Sequence, residues 1–477
     1  MDPEAIFRDK MDSLIMNEME RTNTPGTAVA VIDDGRLALT RCYGARDFER
    51  NRPVTPDTMF NIASVTKSFI CAGILKLQEE AKLDIEDPIA EYLPVTIGFQ
   101  EEPIRIHHLM THTSGIPNLT DGLWARNREQ MFNIPPVPRI PFTSWDDAFR
   151  FLNGAQEFLV PPGRRFHYNN FAYGLLSKII DEVAQESFKT FLRKKILDPL
   201  NMKNTGFYDE IKENSLLART YITKPESETR EFIPYPDHRP EFSVTEAAGG
   251  LFSTVQDLAN YMKLHLEKGW RNGNQILLEE NVQAMQTVQF REQYPNASFA
   301  AAYGQTKSGY GFGFAIDEDF HGHKLVQHSG SHLGASAWFC FIPKLRRGII
   351  MLSNHHPSPR IFSQAIMLES LGLDATMNWQ LLKLRKHHEQ LTGIYHTYRG
   401  INKIKVSSKG GALLLEDMKG RTYGQLIPMN GDPYTLDYYL PTEMGGKEPA
   451  QFEKKNDTVW LTIERNRWKK VRDIRSS

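Results

Sequence analysis

Cysteine is scarce in this chain. Only Cys42, Cys71 and Cys340 occur in 477 residues, and their spacing matches neither a metal site nor a disulfide framework. Cys71 and Cys340 lie in apolar runs and read as core residues, which suits a reducing, cytoplasmic setting. An excess of charge of one sign is also missing: 57 Lys and Arg against 58 Asp and Glu leave a net charge of −1. That balance argues against nucleic acid or an acidic membrane as the main partner. Short basic clusters such as Arg193-Lys194-Lys195 then read as solvated helix faces. No apolar run approaches the roughly 18 residues needed to cross a bilayer. The N-terminus, Met1-Asp2-Pro3-Glu4, is acidic and polar, so no secretory leader is expected. Internal repeats and low-complexity segments are absent as well.

What is present is the material of a large globular core, with 40% hydrophobic and 24% charged residues. Ile6, Phe7, Met11, Leu14 and Ile15 recur at helical spacing. Two apolar runs, 28–32 and 37–43, flank the turn dipeptide Asp34-Gly35 and predict a hairpin. Residues 64 to about 200 read as helices and long loops. Strands are expected at 310–316, 323–328, 337–342 and 348–352, and a closing helix at 359–372. The expected fold is therefore α+β: an antiparallel sheet flanked by terminal helices, with an all-helical lobe inserted between its strands. This domain is expected over 1–375, a polar helical linker over 376–390, and a small barrel or sandwich over 391–477.

One short motif carries chemical meaning. Ser64-Val65-Thr66-Lys67 contains the only serine in the chain with a lysine three positions later. It opens a run, 64–77, that reads as a buried helix, so Lys67 lies one turn from Ser64 on the same face. A serine hydroxyl is a poor nucleophile until a base takes its proton, and a neighbouring amine is such a base. A second proton carrier and a positioning amide are available in Tyr168-Asn169-Asn170, after the turn Pro162-Gly163. Tyr294-Pro295-Asn296 repeats the spacing without that lead-in and is set aside. His328-Ser329-Gly330 follows an apolar pair and precedes a strand. Its glycine is expected to let a substrate backbone approach, and Ser329 to offer a hydroxyl. His332-Leu333-Gly334 offers no such group.

Taken together, these motifs resemble the serine β-lactamase and penicillin-binding-protein superfamily, in particular the branch of class C β-lactamases, D-aminopeptidases and family VIII esterases. Leu109 to Ile116, Ala248 to Thr254 and Tyr310-Gly311-Phe312-Gly313-Phe314 resemble that branch too, so the likeness spans about residues 25–375. The resemblance implies that Ser64 becomes acylated, with Lys67 and Tyr168 sharing the general-base work and Tyr168 protonating the leaving group. Asn170 would orient Lys67 and substrate. His328 and Gly330 would line the substrate strand, and the N–H groups of Ser64 and Ser331 would form the oxyanion hole. No cofactor and no metal is implied. The cluster His321, His323, His355 and His356 reads as solvated loop histidines, His112 and Ser114 as structural loop residues, and Ser253-Thr254 as a helix cap.

His328 is the notable departure, since β-lactamases and penicillin-binding proteins usually carry lysine there. An imidazole near its ordinary pKa of about 6.5 is largely neutral at pH 7, so poor β-lactam turnover is expected. The expected activity is a peptidase of D-aminopeptidase type acting on small peptides or amides. A carboxylesterase, acyl transferase or weak β-lactamase is the alternative, and a non-catalytic binding protein that kept the fold is the third. Selectivity is expected from loops 118–160 and 285–308. The C-terminal segment resembles the lipocalin-like barrels appended to some peptidases. It is a candidate for oligomer contacts, for narrowing the cleft, or for added stability.

Overall fold

The structure is a computed structural model that describes residues 3–473 apart from 100, 118–141, 143, 213, 224–231, 235–242, 292–306, 333, 356–359, 443–444 and 457. Tyr294-Pro295-Asn296 and much of the expected selectivity loops fall outside the described residues. The chain divides into one unit of residues 1–301 and 305–367 and another formed mainly by 368–477.

The first unit is built on an eight-stranded sheet. Helix α1 (Pro3–Thr22) leads into the hairpin β1 (Gly26–Asp33) and β2 (Arg36–Asp47), which Asp34 and Gly35 close with positive φ values of 44° and 71°. A short β3 (Arg52–Pro53) forms one edge. The other strands come from far along the chain: β4 (Ser308–Tyr310), β5 (Ala315–Phe320), β6 (His323–His332), β7 (Ala335–Ile342) and β8 (Arg347–Ser353). The order is β4-β5-β6-β7-β8-β1-β2-β3. β1 is central and antiparallel to both neighbours, pairing Thr27 with Ser353 and Ala30 with both Ile350 and Thr40. Its side chains are buried along almost the whole strand, because layers cover both of its faces.

Between β3 and β4 the chain makes the inserted lobe. Its main helices are α2 (Thr66–Glu79), α3 (Asn170–Ala184) and α4 (Val255–Leu266), which Thr254 caps by accepting from the Asp257 N–H. Phe69, Ile70, Ile74 and Leu75 of α2 join Phe339, Phe341 and Ile350 of the sheet in one continuous core. As expected, residues 64–200 hold no β-strand among the described residues, but a short sheet lies just outside them. Phe60–Asn61, Leu251–Ser253 and Gly206–Phe207 form a three-stranded sheet. Runs of two or three residues carry too little periodicity to reveal themselves. This small sheet fixes the turn that ends in Ser64.

One difference from the expected strands concerns glycine. Tyr310 ends β4, and Gly311–Phe314 leave the strand; Gly313 has φ +73°, and a Cβ there would lie 2.7 Å from Ser68 Cα. The segment is thus pressed against α2 rather than continuing as a strand. Gly330 of β6 is also closely approached. A Cβ built on it would sit 2.1 Å from the Ile62 carbonyl oxygen and 3.2 Å from Ala63 Cβ. The space a side chain would need there is occupied by the turn that delivers Ser64.

The stretch 376–390 is helical, as its sequence suggests. It comprises Ala375–Asn378 and α5 (Gln380–Leu391), and α5 feeds directly into a closed eight-stranded barrel. The barrel strands run in sequence order: β9 (Gly393–His396), β10 (Lys403–Lys409), β11 (Ala412–Glu416), β12 (Thr422–Pro428), β13 (Asp437–Pro441), β14 (Lys447–Lys455), β15 (Thr458–Ile463) and β16 (Asn466–Arg472). Its interior is filled by Tyr395, Val406, Leu426, Tyr438, Phe452 and Leu461 among others. Eight strands enclose just enough space for side chains to fill.

Because Gly330 abuts backbone, Gly330→Ala forces β6 and the Ser64 turn apart. The expected cost is about 1–3 kcal/mol, as for other overpacked sites. A lowered urea midpoint checks this; an unchanged midpoint contradicts the packing described.

Candidate active site

Ser64 sits in a short 3-10 turn, Ala63–Val65, at the head of α2. Ala63, immediately before it, has φ +45°, a conformation that side chains other than glycine seldom adopt. The neighbourhood holds it there. Asn61 accepts from the Ala63 N–H at 3.1 Å and donates to the Gly249 and Leu251 carbonyls at 3.2 and 3.3 Å. Thr66 Oγ1 donates to the Ala63 carbonyl at 2.6 Å and accepts from the Leu251 N–H at 3.2 Å. These contacts tie residues 60–66 to 249–253, so Ser64 stands half-buried on a rigid corner.

Lys67 is completely buried. Its Nζ lies 3.0 Å from Ser64 Oγ and donates to the Ala248 carbonyl at 2.7 Å. The rings of Tyr168 and Tyr173 flank it, with centroids 4.8 and 5.3 Å from the nitrogen. Among the described residues no carboxylate forms an ion pair with it. Burial therefore holds its pKa well below the ordinary lysine value of 10.5. A neutral amine keeps a lone pair, and the 3.0 Å contact is then open to a proton passing from Ser64 Oγ to Nζ.

Tyr168 is 39% exposed, at the mouth of this pocket. Its ring lies tilted by 33° against that of His112, centroid to centroid 4.2 Å, and 6.4 Å from the His328 ring. Asn170 is the first residue of α3; its side chain has no hydrogen bond among the described residues, and the Ala248 carbonyl holds Lys67 instead. The capping role falls to Asn169, which is buried, accepts from the Ala172 N–H and donates to the Ile116 carbonyl.

His328 is nearly buried in β6. Its Nδ1 lies 2.7 Å from the Ser329 carbonyl oxygen, which only accepts, so the proton resides on Nδ1. Nε2 then accepts from the Tyr310 hydroxyl at 3.0 Å. Burial, with the nearby Lys67 charge second, lowers its pKa to about 3. The imidazole is neutral at pH 7, more firmly so than its ordinary pKa implies. Gly330 lies beside the Ser64 turn, and Ser331, next along β6 and paired with Ser336, is exposed.

The sequence alone undervalued His112. Read as a loop histidine, it is fully buried at the centre of the aromatic cluster, 5.0 Å from each of Tyr173 and Tyr310. Its Nδ1 accepts from the Asn169 N–H at 3.0 Å, and its carbonyl accepts from the His167 N–H at 2.8 Å. Two hydrogen bonds from flanking backbone N–H groups and one ring contact thus hold Tyr168 from either side along the chain. Accepting at Nδ1 places the proton of the neutral ring on Nε2. Burial, then the charges of Lys67 and His328, push its pKa well below 6.5. Lys67, His112 and His328 thus lie close together and buried, and a charge on Lys67 disfavours protonation of both imidazoles.

Kinship with known proteins agrees with this geometry. Residues 11–372 match the beta-lactamase family, and the chain belongs to that family. Residues 377–469 match the Pab87 octamerisation domain. Among solved structures, an octameric penicillin-binding protein homologue from Pyrococcus abyssi superposes with TM-score 0.83 at 29% identity, over 98% of this chain and 100% of that one. A penicillin binding protein from Bacillus halodurans shares the fold at TM-score 0.59 and 21% identity, over 76% and 98% of the two chains. Protein flp of Staphylococcus aureus (strain MRSA252) is 26% identical over 353 residues, 73% of this chain but 63% of its own length. No described helix is long and apolar enough to cross a membrane.

Buried neutral histidines set the sign of a pH effect. His112 and His328, with the fully buried His265 at about 3, have pKa values below the 6.5 of an exposed imidazole. The unfolded chain therefore takes up these protons first, and stability falls as pH drops from about 6.5 towards 3. The urea midpoint should decline across that window, and less steeply for His328→Asn. Equal slopes in the two proteins contradict the assignment.

Proposed function

We propose that the chain is a serine hydrolase that forms an acyl-enzyme on Ser64. The observation that carries this reading is a buried, carboxylate-free Lys67 amine 3.0 Å from Ser64 Oγ. In the proposed reaction the Ser64 proton passes to Lys67, acting with Tyr168, as Oγ bonds to the substrate carbonyl carbon. The N–H groups of Ser64 and Ser331 hold the oxyanion. Collapse breaks the bond to the leaving group, which takes a proton from Tyr168, and water then cleaves the ester on Ser64. Asn170, first in α3 behind Tyr168 and without a competing side-chain bond, is assigned to substrate.

The preferred substrates are small peptides or amides, in the manner of a D-aminopeptidase, rather than penicillins. His328 supports this choice: it replaces the fixed cation expected for a carboxylate-bearing ligand with a buried, neutral imidazole already engaged by Tyr310. Cys42, Cys71 and Cys340 are all free thiols, which suits work in the cytoplasm. We also infer that the protein is a homo-oligomer joined through the barrel, since 377–469 match an octamerisation domain and the Pyrococcus homologue is octameric.

A fluorophosphonate probe should label wild type at Ser64 and leave Ser64→Ala unlabelled. Among D- and L-aminoacyl amides, short-chain nitrophenyl esters and a chromogenic cephalosporin, turnover should be greatest on an amide and least on the cephalosporin. Absence of labelling points to a binding protein that kept the fold; preference for esters points to an esterase.

A further inference from the structure

We propose that one end of the barrel, carrying Tyr398, Ile401, Met418 and Tyr423, is the surface that binds a second copy of this chain. The inference rests on the homo-oligomer reading above and names the surface that reading leaves open.

Strand direction defines the two ends. Strand β9 follows α5, so the end where β9 starts is also where β10, β12, β14 and β16 finish. Helix α5 closes that end. His388 Nδ1 lies 2.9 Å from Ser408 Oγ at the end of β10, and His387 Nε2 lies 2.9 Å from the carbonyl of Thr435 in the loop before β13. The Lys470 amine, near the end of β16, donates to the Gln390 carbonyl at 3.0 Å.

Among the described residues of this unit, no α-helix covers the opposite end. The described chain turns there at 397–402, 417–421 and 464–465. Tyr398 and Ile401, in the first of these turns, are each 77% exposed. Met418 is 49% exposed in the second, and Tyr423, one residue into β12, is 62% exposed. Solvent gains nothing from such side chains, and four on one small end form a patch of the kind that marks an interface. More than half of the large apolar side chains exposed among the described residues belong to this unit, although it is well under a third of the chain. The barrel interior is packed, so this apolar display is not the lip of an internal ligand site.

The occupant is a second copy rather than an unrelated partner, for two reasons. The unit that bears the patch is the one matching an octamerisation domain. The patch also carries charges of both signs, with Asp417 and Glu464 among Arg399, Lys419 and Arg421, so that two copies have opposite charges to present to each other.

The test is the mass of the full-length protein in solution, measured by light scattering on a sizing column and by sedimentation. The double variant Tyr398→Glu/Ile401→Glu should reduce the assembly mass at least twofold. Met429→Ser and Val471→Ser, exposed towards the α5 end, should leave it unchanged. Circular dichroism and thermal unfolding confirm that each variant is folded; Tyr423→Ser gives an independent second probe of the patch. An oligomeric wild type whose folded Tyr398, Ile401 and Tyr423 variants keep its mass overturns this surface while leaving the homo-oligomer reading intact. A monomeric wild type overturns both. Binding to phosphatidylserine vesicles that the variants lose without a change of mass assigns the patch to a membrane and overturns the proposal.

Discussion

The site depends on removing one amine from water without giving it a counter-ion. Lys67 has no exposed surface and no described carboxylate partner; its neighbours are aromatic rings, a serine oxygen and one backbone carbonyl. Burying an ammonium so poorly compensated is costly, and the group escapes that cost by giving up its proton. The same step turns an ordinary lysine into a base within hydrogen-bond reach of a hydroxyl. His112 and His328 extend the principle, because burial keeps each neutral and a charge on Lys67 would lower the pKa of each further.

The rest of the first unit can be understood as a frame for that pocket. The floor is α2, locked to the sheet by its apolar face. The corner bearing Ser64 is held in a strained backbone conformation by Asn61 and Thr66, and β6 is brought against it by the absence of a side chain at Gly330. Gly313 lets the segment after Tyr310 press onto the opposite end of the same turn of helix. The strain and the close approaches are maintained by contacts from four distant parts of the chain. That arrangement keeps the nucleophile in place without relying on any single element.

Much of this was legible in the sequence. Hairpin β1–β2, the buried helix after Ser64, strands β6, β7 and β8 and the small C-terminal β domain each follow from apolar spacing and turn residues that act locally. Ser64 and Lys67 were legible because helical geometry alone places residues three apart together. What sequence could not supply depends on contacts between distant segments. The three-stranded sheet at 60–61, 206–207 and 251–253 is too short to show a period. His112 looks like any loop histidine until residues 167–169 fold over it. The Ala248 carbonyl has no side-chain signature at all, yet it holds Lys67, a role for which an asparagine was the natural candidate. Gly330 is a place of close approach, as a glycine beside a strand suggests, and one approaching group is the chain's own Ile62 carbonyl.

The ionisation of Lys67 itself is the central claim, and it can be measured directly. In protein labelled with 13C at the lysine ε carbon, the Lys67 resonance is the one missing from a Lys67→Arg variant. Its titration should have a midpoint well below 10.5, with the amine largely neutral in the range where other lysines remain charged. A midpoint at or above 10.5 would mean a buried cation with no lone pair to offer, and Lys67 could not then be the base that activates Ser64.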